Sequence, residues 1–171
     1  MANLFLQGAT RVTSMRVLCV VITGSLTMEC HIEELLSSCA SSTHALRMLR
    51  SHGLGPTQVH EVARMTTLAS MLYASPAWWG FKTAHDRDRL ERLVLRLRRG
   101  GFIPGDAQPI ADMANDADER LFRAITTDSS HVLRQLLPKP KHTGYLLRPR
   151  AHGYELPAKD EHNFIIISYV I

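Results

Sequence analysis

Arg89, Arg92, Arg96 and Arg99 recur at intervals of three and four residues, the spacing that places side chains along one stripe of a helix. Guanidinium groups in such a row match phosphate oxygens in charge and in geometry, so the chemistry on offer is a grip on a phosphate backbone. A second basic feature lies further on. From Ser129 through Tyr154 there is no Asp or Glu, while Arg134, Lys139, Lys141, Arg148 and Arg150 alternate with His131, His142, Tyr145, His152 and Tyr154. Cations interleaved with rings that can stack suit single-stranded nucleic acid. Each feature also has an ordinary explanation. The arginines at the end of a helix that starts with Asp86, Asp88 and Glu91 follow the macrodipole and could be a solvated face. The later segment could wrap over the helices with Tyr145, Leu146 and Leu147 covered.

Other chemistries find less support. Cys30, His31, Cys39 and His44, or His131, His142, His152 and His162, lack the paired spacing of a tetrahedral zinc site. Asp112, Asp116 and Glu119 could share a helical face and attract magnesium, but an acidic stripe in water is the simpler reading. No Gly-x-Ser-x-Gly or Gly-x-x-x-x-Gly-Lys occurs, and no two aspartates are adjacent. Metal, cofactor and hydrolytic roles therefore have no constellation behind them. Trp78, Trp79 and Phe81 read as packing at a helix junction in preference to a base-stacking platform.

The elements that must position these residues follow from periodicity. Branched apolar residues in Asn3–Leu6 and Met15–Ile22, with a turn at Gln7-Gly8 and an end at Thr23-Gly24, predict a β-hairpin or a small sheet edge. From Glu29 the period becomes helical through Ile32, Leu35, Leu36, Cys39, Ala45, Leu46 and Leu49, with Gly53 as the C-terminal signal. Gly55-Pro56 opens a second helix that runs toward Tyr73 and is expected to stop at Pro76. Asp86 or Asp88 starts a third that ends at Gly100-Gly101. Helical patterning resumes over Ile110–Ile125, with a break expected near Asn115, and a short helix covers Ser130–Leu137. The last segment reads as extended and ends in the apolar run Phe164–Ile171.

The 171 residues suffice for one ordinary domain, and 45% hydrophobic with 21% charged residues predicts a packed core. Twenty Lys and Arg against 16 Asp and Glu leave a net charge of +4, a mild bias toward anionic partners. Three cysteines without paired spacing fit a reducing, intracellular setting, nuclear or cytoplasmic. The run Val17–Ile22 is far short of the ~20 residues of a membrane span, and no basic region precedes a signal-like core.

In order along the chain, several stretches resemble the C-terminal part of reverse transcriptases from non-LTR retrotransposons of the jockey or LINE type. They are Arg16-Val-Leu-Cys-Val-Val-Ile22, His31 with Ser38-Cys39, Ala45-Leu-Arg-Met-Leu-Arg-Ser-His-Gly-Leu54, Tyr73-Ala-Ser-Pro-Ala-Trp78, and Arg89-Leu-Glu-Arg92. Further on come Ala117-Asp118 with Leu121-Phe122, His131-Val-Leu133, Leu136-Leu-Pro138, Leu147-Arg-Pro-Arg-Ala-His152, Tyr154-Glu-Leu-Pro157 and Asn163-Phe-Ile165. The resemblance implies that the first strands close a polymerase palm and that the helices form the thumb that grips a template-primer duplex. It makes Arg89, Arg92, Arg96 and Arg99 candidate phosphate contacts. The family's Tyr-x-Asp-Asp aspartates are not in this sequence, so the resemblance implies a fragment that does not polymerise. Cys19 stands where the family has glycine, and Ile166-Ile167-Ser168 replaces a basic continuation, the mark of a decayed or artificially bounded element.

The expected architecture is therefore α+β and mainly α. A short N-terminal β-hairpin, palm-like, covers 1–28, a thumb-like helical bundle 29–137, and an extended basic tail with an apolar C-terminus 138–171. The expected function is non-sequence-specific binding of RNA or DNA through Arg89, Arg92, Arg96, Arg99, Lys139, Lys141, Arg148 and Arg150, without catalysis, cofactor or membrane. The alternative is a structural or interaction module that self-associates through exposed apolar surface.

Overall fold

A computed structural model describes residues 12–139 and Tyr154. Within them the chain is mainly helical, with one antiparallel hairpin at its start. Strand β1 (Ser14–Val17) pairs with β2 (Val20–Thr23) in the register Ser14↔Thr23 to Val17↔Val20. The two-residue turn is Leu18-Cys19, with φ of 45° and 68°. A turn with both central residues in the left-handed region suits the twist of a hairpin, but Asn or Gly usually fills it. The uninterrupted strand expected over Met15–Ile22 is thus folded in its middle. Val20 and Val21 are buried, whereas all of β1 is exposed. The strand expected at Asn3–Leu6 lies outside the described residues.

Helix α1 (Glu29–Ser51) buries Ile32, Leu35, Cys39 and Leu46 along one side; Ala45 and Leu49, expected on the same face, are exposed. Its end is closed by paired bonds, Gly53 N–H to Arg50 O and Leu54 N–H to Leu49 O, both 3.1 Å, with Gly53 at φ +93°. That left-handed position is why glycine is needed there. Helix α2 (Pro56–Ala63) continues through a π-helical turn (Arg64–Leu68) into α3 (Ala69–Leu72). The run ends before Pro76, not at it. Ala74, at φ +49°, reverses the chain, and Pro76 sits in the first turn of the short α4 (Ser75–Trp78), where its missing N–H costs nothing. A 3-10 turn (Trp79–Phe81) follows, with Trp78 wholly buried and Trp79 nearly so.

Helix α5 (Ala84–Arg99) begins two residues before Asp86 because Thr83 caps it. The Thr83 hydroxyl accepts from Asp86 N–H (3.1 Å), and the Asp86 carboxylate accepts from the Thr83 hydroxyl (2.7 Å) and backbone N–H (3.4 Å). Such a reciprocal box contributes about 1 kcal/mol. Leu90, Leu93, Val94 and Leu97 turn inward. Helix α6 (Ile110–Thr127) is unbroken at Asn115, and a 3-10 turn (Val132–Leu136) without buried residues ends the described segment. The core unites Ile32, Leu46, Val59, Met71, Trp78, Leu90, Leu97 and Ile110, so every helix from α1 to α6 gives it an apolar side chain, and Leu68 of the π-helical turn packs against it. No helix among the described residues is long and apolar enough to cross a membrane.

Candidate nucleic-acid interface

Helices α1 and α5 pack side by side, and their far ends are tied together. Arg50 near the end of α1 donates through Nη1 to Gly100 O (2.5 Å), and its guanidinium lies 4.5 Å from the Phe102 ring centroid. Between the two helices runs a groove of about 450 Å³, lined among the described residues by Leu36, Ala40, Thr43 and Arg47 from α1 and by Arg89, Arg92, Leu93 and Arg96 from α5. Four guanidinium groups therefore surround a floor of small and apolar side chains, and no carboxylate is among the lining residues. The Thr43 hydroxyl is turned away, bonded to Cys39 O at 2.7 Å.

Two of the three acids of α5 are occupied elsewhere, and the third, Asp88, is exposed and does not line the groove. Glu91 accepts from Ile110 N–H (3.1 Å) and so caps α6, whose own N-cap, Pro109, offers no side-chain acceptor. Asp86, 3% exposed, is held by Thr83 and reaches Arg89 at 3.4 Å. Arg89 is thus the anchored member of the row. Arg47, Arg92 and Arg96 are exposed and have no ion-pair partner among the described residues. Arg89 and Arg96 stand about 10 Å apart along the helix axis.

The sequence stripe is thus gathered in part. Arg89, Arg92 and Arg96 share the groove; Arg99, one turn on, is exposed but does not line it, and neither does the exposed Lys139. Lys141, Arg148 and Arg150 lie outside the described residues. Of the basic segment that contains them, Tyr154 is described, its ring edge-on to Phe122 of α6 with centroids 6.1 Å apart. Arg47 is the member that sequence reasoning missed. Its only signal was the pair Arg47 and Arg50 flanking Leu46 and Leu49, which says that a helix face is basic but not what it meets.

The alternative constellations are dispersed. Cys30 and His44 are exposed while His31 and Cys39 are buried, and no group of three His, Cys, Asp or Glu among the described residues could hold a metal ion. Burial pushes the Cys39 thiol up to about 11, which makes it an inert core group. Glu119 pairs with Arg123 at 3.2 Å in place of joining Asp112 and Asp116 around a cation. Trp78 and Trp79 meet edge to face with centroids 5.7 Å apart, as packing and not as an open stacking platform.

No protein-family model matches the chain, and neither a curated protein nor a solved structure matches it.

Proposed function

We propose that this chain is a reverse-transcriptase-derived fragment of the non-LTR retrotransposon type, without polymerase chemistry of its own, that binds the backbone of RNA or DNA with little sequence readout. The observation that carries the binding is the α1–α5 groove, where Arg47 joins Arg89, Arg92 and Arg96 with no lining carboxylate. A row about 10 Å long spans about three nucleotides of one strand at 3.4 Å per step. Three to four neutralised phosphates give a salt slope of roughly −2 to −3 on a single strand. The descent rests on the ordered sequence stretches quoted above, and the absence of a Tyr-x-Asp-Asp pair from the sequence supports a non-catalytic role.

The test is fluorescence anisotropy of labelled single-stranded RNA and of an RNA–DNA duplex, titrated with protein across a salt series. Saturable binding with that slope, weakened about a hundredfold by charge reversal at Arg92 and Arg96, is the expected result. Unchanged affinity in the reversed variant would sink the proposal.

A second reading, self-association, has one observation in its favour. Met15 and Val17 of β1, with Val12 just before it and Leu18 in the turn after it, are exposed, an apolar surface of the kind that meets another chain. Light scattering across a concentration series decides it. A rising mass supports the reading and a constant monomer mass removes it.

A further inference from the structure

The side of α1 turned away from the arginine groove borders a second cavity, of about 410 Å³, between that helix, the hairpin turn and α3. Among the described residues, Arg16 and Glu34 stand on its wall as an ion pair 2.6 Å long, so their charges offset each other. Leu35, Ala69 and Tyr73 contribute much of the apolar wall, and Cys19 lies on the lining as well.

His31 decides what such a space would hold. It lines the cavity yet is only 7% exposed, its ring edge-on to Trp78 with centroids 5.1 Å apart. Its Nδ1 accepts from Val21 N–H at 3.5 Å, which assigns the proton of the neutral ring to Nε2. Burial lowers the pKa of the imidazole and keeps the ring neutral near pH 7. The Nε2–H has no partner among the described residues. The atom is not sealed from solvent, so an acceptor on a ligand in the cavity would take the place of water there. The volume lies at the small end of ligand pockets, room for one compact ring system and not for a chain. With its charged lining residues offset, the cavity gives no advantage to an anion.

We propose that this cavity binds one uncharged heteroaromatic molecule of nucleobase or nucleoside size, through an acceptor atom on the His31 Nε2–H and between the walls of Leu35, Ala69 and Tyr73. The source is either a free nucleoside or a base of a bound strand. The site is independent of the arginine groove, because the two occupy opposite sides of α1.

Cys19 supplies the readout. It is exposed and lines the cavity, Cys30 is exposed outside it, and Cys39 is buried. The full chain is labelled with a maleimide and the rate at each cysteine is followed by peptide mass mapping, with adenosine, cytidine or uridine as probe. A nucleoside at about ten times its Kd is expected to slow Cys19 about tenfold, since only the free fraction reacts, while Cys30 is unchanged. Toluene, which has no acceptor, is expected not to protect at equal concentration. His31→Phe keeps a ring against Trp78 but removes the N–H, and is expected to abolish protection. Ser70→Trp, at an exposed lining position, fills the space without touching the core and is expected to do the same.

Protection by a short oligonucleotide but not by free nucleosides assigns the site to a strand base. Protection in Arg92→Glu/Arg96→Glu protein shows that the cavity stands even where the groove has failed. Failure of every nucleoside and oligonucleotide to protect Cys19 in folded protein overturns the proposal, as does protection that survives both His31→Phe and Ser70→Trp or that toluene matches.

Discussion

One helix carries two unlike surfaces. Toward α5, α1 offers Arg47 to a groove whose other guanidinium groups come from the neighbouring helix, and two of that helix's acids, Asp86 and Glu91, serve as caps of α5 and α6. Toward the hairpin, the same helix offers a cavity with an internally offset ion pair and a neutral, buried histidine. The difference teaches that net charge at a surface depends on where carboxylates are spent as much as on where cations are placed. Asp86 and Glu91 accept from backbone N–H groups at the starts of α5 and α6, with Asp86 reaching Arg89 alone of the groove arginines, whereas Glu34 is spent on Arg16 at the cavity wall.

The strongest way to break the comparison is to remove what both faces rest on. Trp78→Ala takes away a wholly buried indole that lies against His31 and bonds to Tyr73 O at 3.0 Å, and is expected to cost about 3–5 kcal/mol. Chemical denaturation measures it; a loss under 1 kcal/mol would mean that Trp78 is not part of the common support.

Next comes a change confined to one face. Arg92→Glu with Arg96→Glu is expected to weaken nucleic-acid binding by roughly two orders of magnitude at low salt and to lower the salt slope by about 2. Thermal stability should stay within about 0.5 kcal/mol, because both side chains are exposed. Equal losses in melting and binding would show that the arginines hold the helices together and do not face a ligand.

Thr83→Ala is smaller, about 1–2 kcal/mol, because it opens the capping box and strips a hydroxyl from a nearly buried carboxylate. Arg89 loses its anchored neighbour in that variant, so groove affinity should fall with stability in a way that Arg92 variants do not show.

The smallest effect is on pH, and it belongs to the cavity side alone. His31 has a lowered folded pKa, so the unfolded chain takes up a proton first as pH falls. Its contribution is complete above the unfolded value of about 6.5 and is lost progressively as pH falls through the depressed folded value. Melting temperatures of wild type and His31→Phe between pH 8 and 5 measure this. The wild-type curve should drop more steeply on the acid side; parallel curves would remove His31 as the cause.

How far the sequence revealed these features depended on whether their signals were local. The row Arg89, Arg92 and Arg96 was legible because three- and four-residue spacing is a property of one helix. Arg47 was not, because its meeting with α5 is made by tertiary packing across some forty positions of chain. The hairpin was legible as β-rich, but its turn was hidden by Leu18-Cys19, residues that fill left-handed positions without the usual Asn or Gly mark. Pro76 misled for a related reason: proline ends one helix and opens another by the same lack of an N–H. The start of α5 was written in Thr83-x-x-Asp86, a box overlooked in favour of the acids themselves. His31 stood out in the sequence only within an unpaired cysteine and histidine set and in the resemblance, since one histidine on a helix face is like any other until its surroundings are known.

The π-helical turn at Arg64–Leu68 bears on how this chain tolerates change of length. There, the Ala69 N–H reaches back five residues to Arg64 O, and the carbonyl of buried Thr67 lies 3.9 Å from the Cys39 thiol. Such a turn holds one residue more than an α-helix needs between the same two ends. Val59 and Ala63 before it and Met71 after it all point to the core. Deleting the exposed Met65 should therefore let the ladder close as an ordinary helix with both flanks in register, whereas deleting one residue within α1 would rotate everything beyond it by about 100°. The spare residue makes this a stretch of helix where the chain can shorten by a single position and still meet itself on the other side.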